Sequence, residues 1–460
     1  MRKDSAAMHP LYNIVLRDLA TDIEQMAEEG HDEAALREEL DRARTVGSLD
    51  ALVALQEDLW RRPSPPAYPY EEPDDWETLS ASFPDPESHA RFTGSDADLA
   101  DRMLAAWRGR CAGCQLGKPL EGAWPAVAKE VLTLTDSWPL AGYMKPVAEE
   151  YRRRLAAQSR AFATHYRPRL TRGSFSYVEP DDDIHYAITA QLVLEAHGPG
   201  FSTAQMIAML LDLTPVSCLW AAGRSMFRTA LFGFPPTHTA LSGNPCRQSL
   251  GGQIRCDAWG WGAPANPALA ARMAYTDAVG SQRRNGIYSA IFFATLIADV
   301  LAHGQPVRAI ETAQRYVPPR SRFAEMIQFV KAECAASASW EQVNEAIYAH
   351  YDRGLLRPET VRINHALPNA AIVLMALLKG DGDFGRTLGI AVMAGMDTDC
   401  NGATAGSIMG CALGTGGIPA DWTDPFHDTI RTQLKDLPEL RISDLATRLY
   451  QVARTHTRRG

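Results

Sequence analysis

The stretch Ala394-Gly395-Met396-Asp397-Thr398-Asp399-Cys400-Asn401-Gly402-Ala403 restricts the fold more than any other part of the chain. It sets two carboxylates two residues apart, with a glycine before them and Asn-Gly after. Beyond it, Ala403 to Gly414 is small, apolar and free of charge. Such a run suits a buried helix whose neighbours approach closely. Two acids at its mouth then lie at the positive end of the helix dipole. Hard divalent cations prefer clustered carboxylate and hydroxyl oxygens, so the stretch reads as half of a metal site. The other half has to be a second acidic cluster.

That cluster is Glu179-Pro180-Asp181-Asp182-Asp183-Ile184-His185-Tyr186. Pro180 blocks helix before it and an apolar run, Ile184 to Ala196, follows, which puts the three aspartates at a helix N-terminus. Adjacent acids repel one another unless a cation neutralises them. Taken alone, the cluster reads as one capping residue and two solvated ones. Together with Asp397 and Asp399 it reads as a two-cation site.

The rest of the chain frames these two stretches. Its 460 residues allow one large domain or two or three. A net charge of −9 with no concentrated basic stretch argues against a nucleic-acid partner. Arg454, Arg458 and Arg459 read as a frayed terminus. Eight irregularly spaced cysteines fit a reduced cytosolic protein. Cys111-Ala-Gly-Cys114 has CxxC spacing, but nothing completes a zinc site, and a buried helix face is the better reading. The first twenty residues lack a signal-peptide apolar core. The best membrane candidate, Tyr288 to Ala302, is short and carries Asp299. The expectation is a cytoplasmic protein without a membrane partner.

Residues 1–60 read as an N-terminal helical extension, with Leu16, Leu19, Ile23, Met26, Leu36, Leu40, Leu52 and Leu55 at helical spacing. Residues 61–95 read as an extended linker rather than a packed element, because Pro63, Pro65, Pro66, Pro69, Pro73, Pro84 and Pro86 crowd into them. Residues 96–455 read as one all-α catalytic domain, with helices at 97–113, 184–196, 204–213, 286–302, 370–379 and 384–393.

Four blocks in order give residues 98–415 a resemblance to the ADP-ribosylglycohydrolases, among them the dinitrogenase reductase-activating glycohydrolase. They are Ala105-Ala-Trp-Arg-Gly-Arg-Cys-Ala-Gly-Cys-Gln-Leu-Gly-Lys-Pro-Leu-Glu121, then Asp181-Asp182-Asp183-Ile184, then Gly251-Gly252-Gln253-Ile254-Arg255 continuing to Asn285-Gly286, and last the Asp-Thr-Asp stretch. The resemblance implies a compact all-α fold and a binuclear Mg²⁺ site, with Mn²⁺ the alternative. It also implies hydrolysis of an N- or O-glycosidic bond at the anomeric carbon of ADP-ribose or a related nucleoside conjugate. The metal ligands it implies are Asp182, Asp183, Asp397 and Asp399. Asp181 stands where the family's first Thr ligates, and Cys400 where it usually has another Thr. Ile184 replaces a second Thr and offers no ligand atom. Glu121, Asp182 and Asp399 are the catalytic candidates.

Gly251, Gly252, Gln253, Arg255, Gln282, Asn285 and Gly286 are the substrate-binding candidates. The adjacent glycines would admit a phosphate close to backbone N–H groups, and Arg255 would pair with that anion or with a core acid. Gln282 replaces a His that many members have. Trp259 and Trp261 read as stacking platforms or as core, His365 as a satisfied loop residue, and Asn369 as a candidate for lining the site. The substrate expected is a small ribosyl conjugate or an ADP-ribosylated protein. The rivals are a degenerate module that binds ADP-ribose without cleaving it, and a metal-dependent phosphohydrolase.

Overall fold

The computed structural model describes residues 10–84, 92–241, 243–351 and 363–457. Residues 1–9, Pro86, Arg458 and Arg459, which entered the readings of the termini and the linker, lie outside them. The fold is all-α, and among the described residues the strands are those of one antiparallel hairpin, β1 (Thr429–Arg431) and β2 (Glu439–Arg441).

Three N-terminal helices, α1 (Pro10–Glu28), α2 (Glu33–Val46) and α3 (Leu49–Arg61), pack around a small core of their own. That core holds Tyr12, Leu19, Ile23, Met26, Leu36, Leu40, Leu52 and Leu59, with Leu16 and Leu55 against its edge. Among the remaining helices, α4 (Asp96–Gly117), α5 (Asp182–His197), α6 (Asn285–His303), α7 (Ala366–Lys379) and α8 (Thr398–Leu413) position the acids. Helix α6 is long and apolar enough to cross a membrane, longer than the segment expected from sequence, and it is buried among its neighbours from Asn285 to Leu301.

The closest pairing in the molecule is α4 against α8, running in opposite directions. Gly109 faces Gly406, Gly113 faces Gly402, and Gly117 faces Thr398, each so tightly that an added Cβ would fall inside the opposing carbonyl group. Small residues four apart on both helices make one continuous stripe, so the two backbones touch. Antiparallel contact of this kind puts the C-terminal end of α4 beside the N-terminal end of α8.

The proline-rich segment differs from the linker expected. It holds a short helix, Trp76–Ser80, and Leu79 is buried in the main core. Prolines keep the segment extended, but the residues between them dock. Glu72 accepts from Arg322 Nε at 3.0 Å and Asn285 Nδ2 at 2.9 Å, Asp74 from the Arg284 N–H at 2.6 Å, and the Pro73 carbonyl from Tyr288 Oη at 2.7 Å. The end of helix α1 docks through its last residue, Glu28, 3.0 Å from His365 Nε2, and through Glu29 just beyond it, which takes Arg247 Nε and Nη2 at 3.0 Å each.

Burial alone would raise the Glu29 carboxyl, but Arg247, Arg284 and Arg322 outweigh it and hold the group near 2. A carboxyl depressed on folding contributes stability above its unfolded pKa of 4.5 and loses it as pH falls towards 2. We expect an acid-side loss on the order of 3 kcal/mol across that window from this residue. Glu29→Gln should flatten that part of the stability-versus-pH curve, read by denaturant unfolding at successive pH values. An unchanged slope would remove this ion pair as the cause.

Candidate active site

Thr398 Oγ1 donates to the Gly117 carbonyl at 2.8 Å, so the end of α4 is tied directly to the start of α8. The chain then turns through Lys118 and Pro119 to Glu121. Two backbone bonds clamp this turn to the one before α8: Gly122 N–H to the Met396 carbonyl at 2.8 Å, and Met396 N–H to the Ala123 carbonyl at 3.1 Å. Gly395 and Met396 both have left-handed backbone, at φ 85° and 65°. Met396 pays a conformational strain there that its neighbours enforce, and the bend aims Asp397 and Asp399 towards Glu121.

Helix α5 arrives from another direction. Val178 pairs with Ile430 of β1, which fixes the approach to the aspartates. Asp181 is the N-cap, its Oδ1 accepting from Asp183 N–H at 3.0 Å. Arg110, wholly buried on α4, donates to the Asp183 carbonyl from Nε at 2.9 Å and from Nη2 at 2.6 Å. The same guanidinium reaches Asp257 Oδ2 and the Ile254 carbonyl, each at 2.6 Å. One side chain therefore joins α4, α5 and the segment after Gly252.

The two distant acidic stretches meet. Ligand atoms of Glu121, Asp397 and Asp399 lie within 4.8 Å of one another, as do those of Asp183, Asp399 and Cys400, and those of Asp181, Asp182 and Asp183. Asp399 belongs to two of these groups and links the stretches. Lys118 Nζ stands among them, 2.5 Å from Asp181 Oδ2, 2.8 Å from Glu121 Oε2 and 3.1 Å from Asp399 Oδ2. His165 Nδ1 is 2.7 Å from the same Glu121 oxygen. Asn369 Oδ1 accepts from the Asp397 N–H at 3.3 Å and from Asn401 Nδ2 at 2.9 Å, which holds the acidic turn from behind.

The electrostatics favour a positive guest. Burial, and then repulsion by neighbouring acids, pushes Asp182, Asp183 and Asp397 well above the usual carboxylate range and Asp399 upward. Glu121 goes the other way: burial would raise it, but Lys118 and His165 hold it below the ordinary value. Burial drives the Cys400 thiol well up, and its S–H donates to Asp183 Oδ2 at 3.0 Å. Asp399 Oδ1 is buried and has no hydrogen-bond partner among the described residues. Clustered hard oxygens, one of them unpartnered, that repel one another fit a hard divalent cation such as Mg²⁺. The Cys400 sulfur is the soft exception.

The second group of candidates is placed differently. Arg255 is fully buried and gives its Nε to both Asp277 oxygens, at 2.9 and 3.0 Å, and its Nη2 to Ser281. Arg255 meets the core acid expected for it, and its Nη1 is buried without a partner among the described residues. Gly252 packs on the backbone of Gly286, where an added Cβ would be 3.1 Å from the Gly286 carbonyl, and Gly286 packs on Gln282 and the Arg247 carbonyl. Gln282 lies between the Ser249 and Arg247 carbonyls, 2.9 Å from each once its amide is oriented to donate. Asn285 is bonded to Gln248 and Glu72. Gly251 keeps partial exposure, whereas Gln253 is buried. The segment Gln253–Arg255 packs against both acid-bearing helices and is tied to them through Arg110, and both amide atoms of Gln253 are buried without a partner among the described residues. Trp259 stacks on Phe201 at 4.6 Å and Trp261 meets Trp107 at 5.0 Å with its ring tilted by 48°, both in the core. His365 caps α7, accepting from Leu367 N–H at 3.2 Å. Cys111 and Cys114 are buried on α4, their thiols raised by burial.

Three residues of the site escaped the sequence reading. Lys118 stands in the Lys-Pro-Leu-Glu turn that drew attention to Glu121, and a cation three residues before a catalytic acid was the available signal. Arg110 lies in the first resemblance block, where its charge inside a small-residue helix was a clue. His165 sits in no motif, and only the packing of the helix Arg160–His165 against the turn brings it in.

A family model for ADP-ribosylglycohydrolase matches residues 95–458, most of the chain. No curated protein sequence matches. A chain of a solved "ADP-ribosylglycohydrolase-related protein complex" aligns over 78% of this chain and 99% of its own, with 20% identity and a TM-score of 0.48. With two acidic turns drawn together by an antiparallel helix pair in an all-α body, and a family match spanning that whole body, the chain belongs to the ADP-ribosylglycohydrolase family and is a glycosidase-type enzyme.

Proposed function

We propose that the enzyme cleaves an N- or O-glycosidic bond at the anomeric carbon of ADP-ribose or a smaller ribosyl conjugate, with Mg²⁺ as cofactor. The observation that carries this reading is Asp399 standing within ligand reach of both Asp183 and Asp397. Asp182, Asp183, Asp397 and Asp399 would hold the metal, whose chemistry when bound is to orient ribose hydroxyls and acidify water.

Breaking a ribosyl C–N or C–O bond builds oxocarbenium character at the anomeric carbon. Glu121, kept ionised by Lys118 and His165, is placed to take the proton of an attacking water. His165, 2.7 Å from that carboxylate, fixes its direction. Asp182, half-buried beside Asp181 and Asp183, would offset the developing positive charge. A reducing, cytoplasmic setting is part of the same proposal and accords with eight free thiols.

The test is hydrolysis of ADP-ribosyl-arginine and of a simple ribosyl glycoside, followed by chromatography of the ribose product. Turnover should stop with EDTA and return with Mg²⁺, and Mn²⁺ run in parallel ranks the two ions. Tight binding of ADP-ribose without turnover would replace the proposal by a binding module. Release of inorganic phosphate in place of ribose ends would replace it by a phosphohydrolase.

A further inference from the structure

The acidic cluster already contains a cation of its own. Lys118 Nζ makes three carboxylate contacts between 2.5 and 3.1 Å, and its side chain keeps 24% of its exposure. It reaches Asp181 from one stretch, Asp399 from the other and Glu121 from the intervening turn, so it bridges all three segments at once.

These contacts engage specific oxygens. Asp181 has Oδ1 on the Asp183 N–H and Oδ2 2.5 Å from the Lys118 ammonium, so each of its oxygens already faces a positive or donor group. Glu121 Oε2 is shared by Lys118 and His165. Asp399 gives Oδ2 to Lys118 and retains Oδ1. Free of lysine, cap and histidine contacts are Asp182, Asp397, Glu121 Oε1 and the second oxygen of Asp399, while Asp183 meets Arg110 Nη2 at 3.2 Å through Oδ1 and the displaceable Cys400 thiol at 3.0 Å through Oδ2. That is a ligand set for a single ion with water completing its shell.

We infer that Lys118 is a resident cation occupying one of the two positive positions of the site, so that this chain takes one divalent ion, and that Asp181 serves as helix cap and lysine anchor rather than as a metal ligand. The inference rests on the metal reading above and refines it. A tethered ammonium offers no open coordination position, so it neutralises the acids and fixes Glu121 while the one ion faces substrate. Lys118 is in this sense a positioning residue for Glu121 and Asp399.

Mn²⁺ binding to the full-length protein tests it, read by isothermal titration and by metal content after gel filtration. Wild type should bind about one Mn²⁺ per chain and Lys118→Met about two, while Lys118→Arg, which keeps the charge, should stay at about one. Asp181→Asn should shift the Mn²⁺ affinity by less than about threefold, because neither of its oxygens is offered to the ion. Two ions in wild type would overturn the inference and leave the metal reading intact. So would one ion in a folded Lys118→Met, or a loss of more than about tenfold in affinity for Asp181→Asn. No binding by any variant would remove both. Should Lys118→Met fail to fold, the wild-type count and the Asp181→Asn affinity still decide.

Discussion

Asp399→Asn is expected to lower kcat/KM on a ribosyl glycoside by at least about a thousandfold, while the chelated protein melts higher than wild type. Both effects come from the same position. The Asp399 carboxyl is shared by two of the three acid groups, and its Oδ1 is buried with nothing to satisfy it. Removing its charge takes away a ligand from the one place where the two stretches meet. The same change relieves repulsion among acids that burial has stripped of water, so the metal-free fold gains stability. Steady-state rates and a thermal melt in EDTA are the two measurements. Wild-type turnover from the variant would remove Asp399 from the mechanism, and a lower melt would show that a hydrogen bond outweighs repulsion. Functional sites held against their own electrostatics commonly trade stability for activity in this way.

Gly113→Val should destabilise the protein by at least about 3 kcal/mol and abolish activity with it. Gly113 lies on the α4–α8 contact, where a Cβ would collide with the Gly402 backbone. No side-chain rotation relieves a clash with a carbonyl group on a neighbouring helix, so the helices must move apart. The shift carries Lys118 and Glu121 away from Asp397 and Asp399, since these follow directly from the ends of the same two helices. Gly142→Ala is the control: nothing lies within 4 Å of its added Cβ, and a change under about 0.5 kcal/mol is expected. Denaturant unfolding of the two variants decides it. A fully stable Gly113→Val would mean that the pair tolerates separation and that the site does not depend on it.

The N-terminal segment shows where reading by composition stops. Prolines at 63, 65, 66, 69 and 73 predict an extended segment, and no helix or strand forms between Arg61 and Trp76. Whether extended chain docks or floats depends on partners that lie far away in sequence. Glu72 finds Arg322, and Asp74 finds the Arg284 N–H, across more than two hundred residues. Nothing local to the prolines encodes that pairing. The three helices before them were legible because their apolar spacing needs only neighbours three and four residues away.

Arg255 makes the same point at the site. A guanidinium next to Gly-Gly offers two partners, an anion or a core acid, and local sequence does not choose between them. Asp277, twenty-two residues on, takes its Nε and Ser281 its Nη2, while Nη1 stays buried without a partner among the described residues. Lys118 is the opposite case. Its position next to Glu121 was plain, but its importance comes from Asp181 and Asp399, which reach it only after α4, α5 and α8 have packed.

By itself the sequence determined the helical class, the small-residue stripe on α8, and the identity of the acids at two helix starts. These follow from periodicity, residue volume and capping, all of which act over a few residues. The tertiary structure alone decided that the two starts face each other, that a lysine stands between them, and that the glycine-rich segment is bound inward through Arg110. Those outcomes depend on which helix backbones touch, and contact between residues hundreds of positions apart is a property of the packed whole.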